Sequence, residues 1–186
     1  MNNLQLDFEK TALVLIDLQN GIVTMPGGEA VVDKAVQLVD LFRQKSGFIS
    51  FVRVSFLDGK DVLNPQLDQA PSVASRPEGW DELVPELGVL EKDYVVTKRQ
   101  WGAFFGTDLD LQLRRRGIDT IVLCGIATNI GVETTAREAF QYGYSQIFIT
   151  DAMATFSPEA HEATIKYIFP RIGKMRTTEQ FLAEVK

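Results

Sequence analysis

The chain is poor in the two side chains that most readily hold metals. One cysteine, Cys124, and one histidine, His161, stand among 186 residues. A lone cysteine excludes a disulfide within the chain and a zinc site built on several thiolates, and a lone histidine excludes paired-histidine metal sites. Surplus positive charge is missing as well, since 19 Lys and Arg face 25 Asp and Glu for a formal net charge of −6. Binding to a phosphate backbone draws largely on excess cations, so no nucleic-acid partner is expected. No apolar run approaches the ~20 residues that a membrane-crossing helix needs, and no membrane partner is expected. The opening stretch MNNLQLDFEK has neither a basic cluster followed by an apolar core nor a small-residue cleavage site, which points to a cytoplasmic address.

What is present suits a globular enzyme or binding protein. With 45% apolar residues, the chain has enough to bury a substantial core, and its length fits one domain over residues 1–186. TALVLID (11–17) and FISFVRV (48–54) are short, rich in β-formers and nearly continuous in apolar residues, the pattern of strands covered on both faces. Between them Ala35, Leu38, Val39 and Phe42 recur at helical spacing until Gly47. YVVT (94–97), DTIVLC (119–124), SQIFITD (145–151) and GKMRT (173–177) read as further strands. Helices are expected over about 107–116, 130–142, 157–169 and 178–185. This alternation predicts an α/β fold: one doubly wound, six-stranded, mostly parallel sheet with helices on both faces and right-handed crossovers. The stretch from Leu57 to Gly88 carries several prolines and little periodicity, and reads as a long functional loop with one or two helical turns. The basic run RRR at 114–116 is expected to close a helix, with Asp110 pairing with Arg114 one turn on.

In open α/β sheets ligands bind beyond the carboxyl ends of the strands. Asp17 ends the first strand, Lys98 directly follows YVVT, and GIATNIG (125–131) follows DTIVLC, so these features should converge on one edge. Asp17 alone is either a turn cap or a catalytic group. Lys98 precedes RQWGAFFGT, whose aromatics either wall a pocket beside the cation or form a core cluster from which Lys98 snorkels outward. At the third feature, Thr128 or Asn129 can cap the following helix, whose free N–H groups and dipole favour a developing negative charge. Cys124 lies inside a strand, where a buried, inert thiol is the ordinary reading, and His161 reads as a structural histidine on an amphipathic helix.

ALVLIDLQNGI, VVTKRQWGAFFGTDLDLQLRRRGIDTIVLCGIATNIGVETTAREAFQYGY and ITDAMATFSPEAH together resemble the three signature regions of the isochorismatase-like hydrolase superfamily, in the same order and over nearly the whole chain. The resemblance implies a hydrolase, and it carries the superfamily's Asp and Lys onto Asp17 and Lys98. Where its cysteine amidohydrolases read G-x-A-T-D-x-C-V, this chain reads GIATNIGV, which puts Gly131 at the nucleophile's position. The chain is most similar in this respect to a bacterial branch with Gly in place of the catalytic Cys. No histidine stands in SFLDGKDVLNPQLDQAP, where the metal-binding members carry theirs, so no metal and no cofactor are expected.

The resemblance further implies that Asp17 acts as general acid or base and that Lys98 orients it and stabilises charge. The substrate would be a small, anionic metabolite, with vinyl-ether cleavage favoured over amide hydrolysis. The isochorismatases resemble K-W-R-Y-S-A-F where this chain has KRQWGAF and Y-A-H where it has ATN, so Trp101, Ala127 and Asn129 replace a polar lining and the substrate should differ. Substrate- and oxyanion-binding candidates are Gln19, Trp101, Phe104, Ala127, Thr128 and Asn129. Arg76, on the long loop, is a candidate for gripping a substrate carboxylate. The resemblance also implies a cis Ile126–Ala127 peptide and assembly into a homo-oligomer. The competing reading is a non-catalytic small-molecule-binding protein that kept the pocket after losing the nucleophile. One tension stays open at this point: Lys98 lowers the carboxyl pKa of Asp17, and burial raises it.

Overall fold

The computed structural model describes residues 4–68 and 76–185. The apolar runs become six strands: β1 (Thr11–Ile16), β2 (Phe48–Val54), β3 (Tyr94–Lys98), β4 (Thr120–Ile126), β5 (Ser145–Ala154) and β6 (Lys174–Arg176). They pair in the order β3-β2-β1-β4-β5-β6, and every pair is parallel. β1 lies in the middle of the sheet and every one of its residues is buried, which explains the unbroken TALVLI run. Leu13 and Leu15 face one core and Ala12, Val14 and Ile16 the other, as the two-residue period of a strand requires.

The first core is closed by α1 (Gly28–Gln44) and α6 (Thr178–Glu184), the second by α2 (Leu109–Arg115), α3 (Glu133–Gln141), α4 (Pro158–Ala163) and α5 (Phe169–Ile172), of which α2, α3 and α5 supply its buried side chains. Val31, Ala35, Leu38, Val39 and Phe42 form the buried stripe of α1, so truncating Phe42 to Ala would cost about 3–5 kcal/mol. Thr177 and Gln180 make a reciprocal capping box that starts α6. At the end of α2, Arg114 pairs with Asp110 at 3.2 Å, as the sequence spacing predicts.

Two helices depart from the expected regularity. The segment expected as one helix over 157–169 is α4, a π-type turn at Thr164–Ile168, and then α5. Pro170 lies in the first turn of α5, where proline is tolerated, but its ring crowds the carbonyl four residues back and cannot bond it, which suits a break in α register just before it. The segment expected over 130–142 likewise begins with a π-type turn, Thr128–Val132, before α3. Among the described residues of the 57–88 stretch, Pro85–Leu87 forms a 3-10 turn. Among the described residues no helix is long and apolar enough to cross a membrane.

The chain winds outward from β1 through β2 to β3 and then returns to lay β4 on the other side of β1. The crevice lies at this reversal, beyond the carboxyl ends of β1 and β4. The two strands close tightly there. Gly125 has φ +123°, and a Cβ on it would stand 2.2 Å from the Ile16 carbonyl oxygen, so only glycine lets β4 run beside the end of β1.

Candidate active site

Asp17 leaves β1 with φ +53°, in the left-handed region that few side chains adopt, while its N–H donates to the Val52 carbonyl at 2.9 Å. This backbone turn aims the carboxylate into the crevice instead of along the sheet. Lys98 ends β3, and its ammonium donates to Asp17 Oδ2 at 2.7 Å and to the Gln100 carbonyl at 3.1 Å. Both side chains are shut away from solvent, with Asp17 5% and Lys98 1% exposed. Asp17 Oδ1 is buried and accepts no hydrogen bond from the described residues.

These facts resolve the tension over the carboxyl group. Burial raises its pKa more than the charge and hydrogen bond of Lys98 lower it, and the group is pushed from its ordinary 3.8 up to about 6. Asp17 therefore titrates much closer to neutrality than an ordinary carboxyl, and its two oxygens differ, Oδ2 being held by Lys98. Gly131 stands against this pair: a Cβ there would be 3.2 Å from Asp17 Oδ2 and 3.4 Å from the Trp101 carbonyl. The Ile126–Ala127 peptide beside it is cis.

The pair and Gly131 line a cavity of about 630 Å³, large enough for a metabolite-sized molecule. Ile22, Met25, Val54, Ile126, Ala127 and Ile130 give it apolar walls. At its mouth the Arg76 guanidinium lies 4.4 Å from the ring centre of Phe56 and 5.1 Å from that of Trp80. Arg99 also reaches the cavity, but its charge is committed to Asp61 at 2.8 Å. Trp101 is 60% exposed at the rim.

Of the residues singled out in the sequence, Asp17, Lys98, Gly131, Ala127, Trp101 and Arg76 meet at this cavity. Four candidates do not line it. Gln19 is buried below it, and its carboxamide brackets Val54, accepting from the N–H at 2.9 Å and donating to the carbonyl at 3.1 Å. Phe104 packs in the second core against Tyr142 and Tyr144. Thr128 and Asn129 do not cap the helix. The π-type turn swings the Thr128 hydroxyl to His161 Nδ1 at 2.8 Å and the Asn129 carboxamide oxygen to the Thr155 hydroxyl at 2.6 Å. His161 thus has a structural partner, and burial holds its imidazole below the usual pKa.

Cys124 is fully buried within β4, and burial, followed by the charge of Asp151, pushes its thiol up to about 12. A thiol so protonated is no nucleophile. Among the described residues no cluster of three or more His, Cys, Asp or Glu side chains stands where it could hold a metal ion. Sequence reasoning missed Phe56, Trp80, Arg99 and Asp61 at the mouth; all lie in aperiodic segments, and only the adjacency of Arg99 to Lys98 hinted at any of them.

A parallel sheet whose winding order reverses between β1 and β4, with a buried carboxylate and ammonium in the crevice at that point, has the architecture of an α/β enzyme. The chain belongs to the isochorismatase family, whose domain model matches residues 11–180. It is 69% identical to the isochorismatase family protein YwoC of Bacillus subtilis (strain 168), over 100% of both chains. It superimposes with a TM-score of 0.93 on an isochorismatase family protein from Burkholderia thailandensis, at 45% identity over 99% of each chain. It is also similar to Nicotinamidase 3 of Arabidopsis thaliana, at 32% identity over 83% of this chain and 78% of that protein. The chain is accordingly an isochorismatase-family hydrolase.

Proposed function

We propose that the protein hydrolyses a small anionic metabolite by proton transfer at Asp17, with Lys98 as its electrostatic partner and with no covalent thiol intermediate. The observation that carries this reading is the division of labour on one carboxyl group: Oδ2 is held by Lys98 and Oδ1 is buried and unengaged. A carboxylic acid so placed donates from Oδ1, and its pKa of about 6 matches the demands of a general acid near neutral pH.

Cleavage of a vinyl ether uses these parts in full. Asp17 gives its proton to the terminal vinyl carbon, leaving an oxocarbenium ion that the carboxylate and the apolar walls shield. Water adds to that ion, the resulting hemiketal returns one proton to Asp17, and its collapse releases an alcohol and a ketone. Lys98 keeps the carboxylate from becoming an isolated buried charge between proton loss and proton return. Arg76, held across Phe56 and Trp80, would take the substrate's carboxylate at the mouth. Amide hydrolysis, the chemistry named for Nicotinamidase 3, would need a nucleophile at residue 131, where this chain has glycine.

The buried Asp17–Lys98 pair favours the enzyme over a protein that only binds its ligand, which has no need of such a pair. The test is turnover by purified protein of isochorismate, small vinyl ether carboxylates and nicotinamide, with Asp17→Asn as the control. Hydrolysis of a vinyl ether lost in the variant supports the assignment; equal rates in the two proteins, or no turnover in either, overturn it.

A further inference from the structure

One face of α3 bonds to both of the turns that flank the Asp17–Lys98 pair. Thr135 is fully buried on that helix, and its hydroxyl donates to the Gly131 carbonyl at 2.7 Å while accepting from the Ala103 N–H at 3.1 Å. A single oxygen thereby ties the turn that follows β4 to the turn that follows β3. One helical turn further on, Glu138 accepts from the Phe104 N–H at 3.1 Å. The backbone lies so close to this carboxylate that a Cβ on Gly102 would stand 2.3 Å from Glu138 Oε2. Three consecutive residues, Gly102, Ala103 and Phe104, are thus pinned to α3.

The same turn reaches the reacting groups at its other end. Its Gln100 carbonyl takes the second hydrogen bond of the Lys98 ammonium at 3.1 Å, and Gln100 Nε2 donates back to the Gly102 carbonyl at 3.1 Å. The Trp101 carbonyl lies within 3.4 Å of where a side chain on Gly131 would begin. A continuous set of contacts therefore runs from Thr135 and Glu138 through residues 100–104 to Lys98 and Asp17.

From this geometry we propose that Thr135 and Glu138 are positioning residues, which fix the height of the 100–104 turn over the crevice and so the placement of Lys98 against Asp17 and of Trp101 against Gly131. The inference rests on the function proposed above only for its catalytic consequence. Neither side chain lines the cavity, so neither touches substrate. Their effect passes through the turn. A bond of Ala103 or Phe104 lost to α3 lets the Gln100 carbonyl drift and with it the ammonium it holds.

The test needs no substrate. The 13C resonance of the Asp17 carboxyl carbon, assigned with Asp17→Asn, is followed through a pH titration of the intact protein and of Thr135→Val, Thr135→Ser and Glu138→Ala. An opposite charge close to a carboxyl lowers its pKa by ~1–3 units, so loosening Lys98 in Thr135→Val or Glu138→Ala should raise the midpoint by about half a unit or more. Thr135→Ser keeps the bridging oxygen and should titrate with the wild type. Leu38→Ala, which removes core volume behind α1 on the other face of the sheet, should lower stability and leave the midpoint in place. Should Thr135→Val fail to fold, Glu138→Ala decides alone, because Glu138 is only half-buried. An unmoved midpoint in the folded variants, or the same movement in Leu38→Ala, overturns the proposal. A wild-type protein that hydrolyses nothing would remove the proposed function and leave this titration standing.

Discussion

At the floor of the cavity Asp17 and Lys98 are sealed from water and joined at 2.7 Å; at its mouth Arg76 lies exposed across two aromatic faces. The floor groups leave strand ends whose positions the sheet fixes, and the Lys98 ammonium is tied both to Asp17 Oδ2 and to the Gln100 carbonyl. The mouth groups come from loop segments and are held by ring contacts that tolerate sliding. Proton transfer demands the first kind of support, because its rate depends on sub-ångström placement. Recognition of a flexible anion works with the second. The low dielectric at the floor makes each charge count for more than the same charge at the rim.

Substitutions should separate the two regions. The largest effect is expected at the floor, where Asp17→Asn should lower kcat by at least ~10²-fold in a steady-state assay of the vinyl ether substrate. Lys98→Ala should fall as far and should also lose stability. Breaking a buried pair costs about 3–5 kcal/mol when the remaining charge cannot escape, but Asp17 can escape by keeping its proton. Urea unfolding should therefore show a smaller penalty for Lys98→Ala in mild acid than in mild base.

The titration of Asp17 also has a signature in the wild type. Its folded pKa, about 6, lies above the ordinary 3.8, so the folded state holds the proton longer than the unfolded chain. The stability this contributes is full below 3.8 and is lost as pH rises through about 6. As a proton donor in the free enzyme, Asp17 should impose a fall in kcat/KM over the same upper limit. A rise there instead would make it a general base.

At the mouth, Arg76→Ala should raise KM about tenfold, the loss of one charge-assisted hydrogen bond of about 1.4 kcal/mol, with kcat little changed. An equal fall in kcat would erase the distinction between floor and mouth. The smallest effect is expected at Cys124→Ala: activity retained, and wild-type protein slow to react with iodoacetamide. Gly131→Cys should not yield an amidase, since the new Cβ meets Asp17 Oδ2 at 3.2 Å and the neighbouring turn is directed to Thr155 and His161.

The same division marks what could be read from the sequence. TALVLI and DTIVLC announce buried strands because a strand covered on both faces must be apolar throughout, and Asp17 and Lys98 are visible because each interrupts such a run at its carboxyl end. Thr128 and Asn129 misled because a helix-capping pattern is identical on paper to a π-type turn that sends both side chains sideways. Gln19, expected among the binding groups, turns its carboxamide to the backbone instead. Its partner, Val54, is set by strand pairing alone. Phe56 and Trp80 carry no local signal, since their stacking at 6.0 Å depends on where two distant segments end.

The fastening of the mouth has a consequence for the chain that loops between its two ends. Gln19 holds Val54 on one side, and on the other it donates to the Trp80 carbonyl at 3.4 Å, while Asn20 and Gly21 donate through their N–H groups to Glu82 and Trp80. Both ends of the intervening segment are thus anchored to the first strand's exit, independently of its length. The entropy of closing a loop grows only slowly with its length, by about 0.6 kcal/mol per doubling, so insertions between these anchors should cost little stability. If the rim selects the substrate as proposed, exchanges in this segment should alter that selection and leave in place the strand ends that hold Asp17 and Lys98 together.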